Sequence, residues 1–228
     1  MSHLINIFLD PAKVFADLRE RPTFVVPLLT VLVLVLGAMA LYFFTVDADW
    51  FVDNTIRQAL AANPEISRAD LEPARQFMTP TFAGTAGLLF GGVFMLMMYV
   101  LMAVYYLLAG KVTGTEVGFM QGLALTAWSS MPLAIGGIVL AVGVLTGDNR
   151  TPMEDLQLLN LHPLLVNVPI ESPWAGLARG FSLLNLWAWF LAALGWKTWS
   201  RGGWGGALAV VLLPSVLIYG IWALIAAF

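Results

Sequence analysis

The chain has 228 residues, 60 % of them hydrophobic and 11 % charged, against about 25 % charged in a soluble globule; a water-soluble domain is excluded and a membrane protein indicated. The net charge of -3 leaves 11 scattered Lys and Arg against 14 Asp and Glu, the wrong balance for nucleic acid as a partner. With no cysteine, disulfides, thiolate metal sites, cysteine nucleophiles and palmitoylation are all removed.

The lead segment reads "LINIFLDPAKVFADLRERPTF". Asp10 is a natural N-cap and Pro11 a natural first helical residue, so a helix is expected over 10–21. Val14, Phe15 and Leu18 share one face, with Lys13, Asp17 and Arg21 turned away. Such a helix is expected to lie on the cytoplasmic headgroups.

The first apolar run, Phe24 to Val46, is long enough to cross a bilayer, which takes about 20 residues. Ala38-Met39-Ala40 imitates a signal-peptide cleavage site, but the apolar run continues through Leu41-Tyr42-Phe43-Phe44 and an uncleaved helix is expected. The loop from Asp47 to Pro80 is too long to be structureless. Val52, Ile56, Ala59 and Leu60 recur at helical spacing, Asn63-Pro64 breaks the pattern, and Asp70 starts a second helix ending before Pro80. A helical hairpin against the outer face follows.

The second and third runs are Phe82 to Ala109 and Phe119 to Leu145, the latter bent at Pro132. After them "TPMEDLQLLNLHP" places Thr151 three residues before Glu154, the spacing of a capping box, with Pro152 at the first helical position. Met153, Leu156 and Leu159 would rest on the bilayer or bundle. The fourth and fifth runs are Phe181 to Ser200 and Ala207 to Phe228. Lys13, Arg19, Arg21, Lys111, Lys197 and Arg201 fall on one side of this five-span topology, and Arg57, Arg68, Arg75, Arg150 and Arg179 on the other. The first set lies in much shorter segments, which favours a cytoplasmic N-terminus and an external C-terminus in a bacterial inner membrane.

The catalytic inventory is thin. His3 and His162 fall on opposite sides of the membrane and share no metal, and no metal-ligand cluster, nucleophile elbow, P-loop or dinucleotide fingerprint occurs. Ser129 and Ser130 have no base within any span. No enzyme, metal or cofactor is expected. The absence of ionisable groups at membrane depth also disfavours proton coupling. Pro132 in "AWSSMPLAIGG" frees carbonyls of the preceding turn, which leaves a passive path as the alternative. Gly122, Thr126, Ser130 and Ala134 form a small-residue stripe, as do Gly87 and Gly91. Helix packing is the simpler account of both, homodimerisation the sharper one.

Five of the nine tryptophans lie between Trp187 and Trp204. Trp196, Trp199 and Trp204 flank Lys197 and Arg201 and read as an interfacial belt. Trp187 and Trp189 lie deeper, beside Asn185, which stands one turn from Trp189. A polar-aromatic contact with the bend at 128–132 is expected to fix the bundle. The candidate binding residues are thus Trp128, Ser129, Ser130, Pro132, Asn185, Trp187 and Trp189, in a structural role before a ligand-binding one.

Three stretches, "LDPAKVFADLRERP", "AWSSMPLAIGG" and "LLNLWAWFLAALGWKTWSRGGWGGALAVVLLP", in this order, resemble the Yip1 domain family in its short prokaryotic form. The resemblance covers essentially the whole chain and implies a single all-α membrane domain over 1–228 with five spans. Eukaryotic members resemble adaptors that associate with prenylated Rab-type GTPases through a longer N-terminal region. For short prokaryotic members the resemblance implies a topology and no settled activity, and the function expected of this chain is a non-enzymatic adaptor or organiser that contacts membrane lipids and other membrane proteins, or a second copy of itself. A small transporter or channel near Pro132 and Asn185 is the alternative.

Overall fold

The computed structural model describes residues 2–63 and 65–227. Two lead helices come first, α1 (Ser2–Leu9) and α2 (Pro11–Glu20), then α3 (Val25–Thr45). The first loop holds α4 (Ala48–Ala62), α5 (Arg68–Leu71) and a 3-10 turn (Glu72–Phe77). The long α6 (Pro80–Thr113) leads to α7 (Phe119–Ser129) and α8 (Met131–Thr146). Three short helices, α9 (Met153–Leu156), α10 (Leu161–Leu164) and α11 (Ala175–Gly180), precede α12 (Leu183–Ser200) and α13 (Trp204–Ala227). The fold is all-α.

Local chemistry sets most boundaries. The Asp10 carboxylate accepts from the Lys13 N–H and Pro11 opens α2, Thr79 caps α6 with Pro80 behind it, and Ser182 caps α12. Gly114 closes α6 at φ +70°, a left-handed turn that L side chains resist. The third run breaks at Ser130, and Pro132 sits in the first turn of α8, where a missing N–H costs little. The expected bend at Pro132 is present, as two helices meeting at Ser130.

α3, α6, the α7–α8 pair and α13 are long and apolar enough to cross a membrane. α12, the fourth of the five runs expected to span, is not among them. Its 18 residues include Asn185, Lys197, Thr198 and Ser200 and four tryptophans, which lower its apolarity. Close backbone approach organises the bundle. α3 lies along α8, where a methyl group added to Gly137 would stand 2.5 Å from the Leu34 carbonyl oxygen. α6 lies along α7, and the same addition at Gly122 would meet the Ala103 carbonyl oxygen at 2.6 Å. The Gly122 stripe is therefore an internal packing face. Gly91, by contrast, has open space over its Cα.

Three further expectations change in the folded chain. The lead holds two helices, not one, and the Val14, Phe15 and Leu18 face of α2 is fully buried against protein rather than turned to headgroups. Thr151 and Glu154 form no capping box, because α9 starts after an extended Pro152; Glu154 instead accepts from Gln58 and faces Arg179. In the first loop Val52 and Ile56 are buried on α4 as expected, but the second helix starts at Ser67, whose N–H and hydroxyl both donate to Asp70. Asn63 ends α4; Pro64, expected to help break that helix, lies outside the described residues, as does Phe228 at the end of the last run.

Candidate functional site

α12 is the element that gathers most of the distinctive side chains, and its two ends are built differently. At the C-terminal end, inner in the sense that the lead hairpin covers it, Trp196 and Trp199 are each 1 % exposed, so they are not a lipid-facing belt. The Trp199 indole N–H donates to the Phe15 carbonyl at 2.7 Å, and the Arg19 guanidinium donates back to the Trp199 carbonyl at 2.7 Å. Two long-range bonds thus clamp α2 to α12, each satisfying a group that would be costly to bury alone. Gly195 makes room for this: an added methyl would stand 2.5 Å from Leu125 and 2.9 Å from the Phe15 ring. The Trp196 ring packs on Tyr106 of α6, centroids 5.8 Å apart. Only Trp204 behaves as a belt residue, 40 % exposed, with the Lys197 ammonium 4.9 Å from its ring centroid.

The N-terminal end of α12, outer in the same sense, is looser. The Asn185 amide donates to the Tyr219 hydroxyl of α13 at 3.1 Å. Trp189, Phe181 and Tyr219 form a cluster of edge-on pairs at centroid distances of 5.2 to 6.0 Å. Trp187 points elsewhere, with its ring 5.5 Å from Phe8 of α1. Trp187 stands 13 residues from Ser200, about 20 Å along the helix at about 1.5 Å per residue. The lead segment therefore reaches well into the bundle.

The bend forms its own network. The Trp128 indole N–H donates to the Thr23 carbonyl at 2.7 Å, and His3 stacks edge-on to the same ring at 5.8 Å. The Ser129 hydroxyl donates to Thr126, and the Ser130 hydroxyl donates to the Ala127 carbonyl and pairs with Tyr99 of α6. Pro132 is buried beside them. The seven candidate residues thus fall into two groups: Trp128, Ser129, Ser130 and Pro132 at the bend, and Asn185, Trp187 and Trp189 on the outer half of α12. The polar partner of Asn185 is α13, not the bend. Tyr219 escaped the sequence reading although it is the one tyrosine in the last apolar run, a position where a phenol hydroxyl needs a partner.

No group of three or more His, Asp or Glu side chains able to hold a metal occurs among the described residues. His162 and His3 each pair with a nearby aspartate, Asp155 at 3.1 Å and Asp17 at 3.2 Å. In the first loop, Asp47 accepts from the Trp50 N–H and pairs with Arg150, and these two contacts hold its carboxyl below the usual aspartate range. The same residue donates its own N–H to the Asn149 carbonyl, so Asp47 ties the end of α3 to the turn after α8.

A curated relative, "Membrane protein YknW" from Bacillus subtilis (strain 168), is 23 % identical over 216 residues, covering 94 % of this chain and 86 % of that protein. No solved structure matches. The family model of the Yip1 domain matches residues 5–225, and the chain, a membrane protein with several apolar helices, belongs to the Yip1 domain family.

Proposed function

We propose that this protein is a non-enzymatic integral membrane adaptor or organiser, which acts by binding other membrane proteins or lipids. One observation carries this: Tyr99, Tyr105, Trp128, Ser130 and Asn185 are bonded inside the protein, while whole helix faces are apolar and without a protein neighbour. None of the 14 Asp and Glu residues falls within the four apolar helices. α6 presents Leu89, Phe90, Val93 and Phe94 outward, and α13 presents Val216, Ile221, Leu224 and Ile225. Such faces suit lipids and partner helices rather than a solute.

The topology that fits is five spans, with α12 as the fourth, the N-terminus cytoplasmic and the C-terminus external in a bacterial inner membrane. At about 1.5 Å per residue the 18 residues of α12 extend about 27 Å, near the thickness of the hydrocarbon core. The lead helix α2, with Lys13 and Arg19, and Arg201 lie at the end this topology makes cytoplasmic, in keeping with the positive-inside rule.

Crosslinking in the native cell is expected to capture defined membrane partners, while the purified protein in vesicles moves neither ions nor small solutes. Measurable flux with no captured partner would replace the adaptor role with a transport path near Pro132 and Asn185. A topology reporter fused after the last residue is expected to be active outside the cytoplasm; cytoplasmic activity would remove the five-span topology.

A further inference from the structure

A half-open cavity of about 230 Å³ lies between α3, α8 and the segment joining α9 to α10, with Met95 of α6 and Leu184 of α12 closing its sides. Its walls are Val35, Met39, Leu133, Val139 and Leu140, within helices apolar enough to span, so the medium that meets them is hydrocarbon. A dry apolar cavity of about 150 Å³ already accepts a benzene ring. No ionisable side chain lines the cavity. Its polar end is neutral: Gln157, Asn160 and Ser182.

That polar end is held in place by backbone bonds. Leu183 N–H donates to Leu159 at 2.8 Å and Leu161 N–H to Phe181 at 2.9 Å, and the Ser182 hydroxyl donates to the Leu159 carbonyl. Asn160 Nδ2 donates to Gln157 Oε1 at 2.6 Å and to the Arg179 carbonyl at 2.7 Å. These bonds fix both amide orientations. The Gln157 amide nitrogen is left as a donor with no acceptor among the described residues. A slot with apolar walls, no charge and one free donor at its polar end is matched by a hydrocarbon chain that carries a neutral carbonyl at its head.

We propose that this cavity binds one acyl chain of a membrane glycerophospholipid, with its ester carbonyl accepting from the Gln157 amide. This deepens the adaptor role proposed above and rests on it, since lipid binding is one arm of that role. The probe is a glycerophospholipid with a photoactivatable group on the acyl tail, mixed into vesicles of phosphatidylethanolamine and phosphatidylglycerol that hold the full chain. Label is expected on Met39, Met95 and Leu140 as well as on the outward residues Leu89 and Phe90. Val139→Trp, which fills the slot, is expected to lower the label at the cavity walls at least about tenfold and leave Leu89 and Phe90 unchanged, the latter serving as the control for folding. Gln157→Leu keeps the slot open, and is expected to abolish an ester-over-ether preference of about fivefold, the worth of one hydrogen bond. Unlabelled cavity walls in the wild-type protein, wall label that survives Val139→Trp, or equal binding of ester and ether lipids by the wild-type protein would each overturn the proposal. Partner capture with the same variants is scored separately: intact capture without cavity label defeats the lipid site alone, and label without any captured partner defeats the protein-binding arm alone.

Discussion

The two ends of α12 carry nearly the same side chains and do opposite things with them. At the inner end, Trp196 and Trp199 are sealed against α2 and α6, and the only indole left facing outward is Trp204. At the outer end, Trp187 is 39 % exposed and the side-chain hydrogen bonds are neutral ones, from Asn185 to Tyr219 and from the Ser182 hydroxyl to the Leu159 carbonyl. The difference comes from what each end meets. The inner end is sealed by α2 of the lead hairpin through Phe15 and Arg19, whereas the outer end meets α13 through Tyr219, α8 through Gly136 and only the Phe8 edge of α1. Tryptophan content by itself says nothing about burial; a second layer of helix does.

If that contrast is right, substitutions at the inner end cost most. Trp199→Ala is expected to lose about 3–5 kcal/mol, since it removes a fully buried indole and its hydrogen bond to the Phe15 carbonyl. Thermal unfolding in detergent micelles reads this, and a shift no larger than that of Trp187→Ala would erase the contrast. Gly195→Leu comes next, at about 1–3 kcal/mol, from overpacking against Leu125 and Phe15. Because part of the clash is with Phe15 of the lead hairpin, faster proteolysis of residues 2–20 should accompany it.

The outer end is expected to respond weakly. A double-mutant cycle on Asn185→Leu and Tyr219→Phe should give a coupling of about 0.6 kcal/mol, the usual size for a polar pair between membrane helices. A coupling several times larger would make the outer cluster a second structural anchor. The smallest effect lies at the tie between α3 and the turn after α8. The Asp47 carboxyl is depressed in the folded protein, first by the Trp50 N–H and then by Arg150. Its contribution is therefore present above the ordinary aspartate range, about 3.9, and is lost as pH falls through the depressed value. Asp47→Asn is expected to lower stability slightly at neutral pH and to converge with the wild-type protein below that range, so that the acid limb is flatter, as unfolding midpoints against pH would show.

Much of this was legible along the chain. The apolar runs announced α3, α6, the bent α7–α8 pair and α13 within a few residues, because a segment with no charge over a bilayer's length has one stable conformation there. The Asp10-Pro11 start of α2 and the bend beside Pro132 were equally plain, since each is set by neighbours in sequence. The Thr151 box failed for the opposite reason: Glu154 found Gln58 and Arg179, partners far away in sequence. The lead helix was likewise half-read. Its amphipathic face was visible, but a face of Val14, Phe15 and Leu18 suits lipid and protein equally well, and nothing local distinguishes them.

The candidate residues divide in the same way. That Trp128, Asn185 and Trp189 needed polar or aromatic partners followed from burying a donor in hydrocarbon. Which partners they took, Thr23 for Trp128 and Tyr219 for Asn185, depended on helix adjacency. By itself the sequence determined a membrane protein of long apolar helices with no charged group at depth, because hydration and length are properties of segments. Only the tertiary structure decided that two supposed belt tryptophans form a core seam, that the lead hairpin enters the bundle, and that a neutral-ended cavity lies beneath the segment joining α9 to α10. Each of these is a relation between surfaces, and surfaces meet only after the helices have packed.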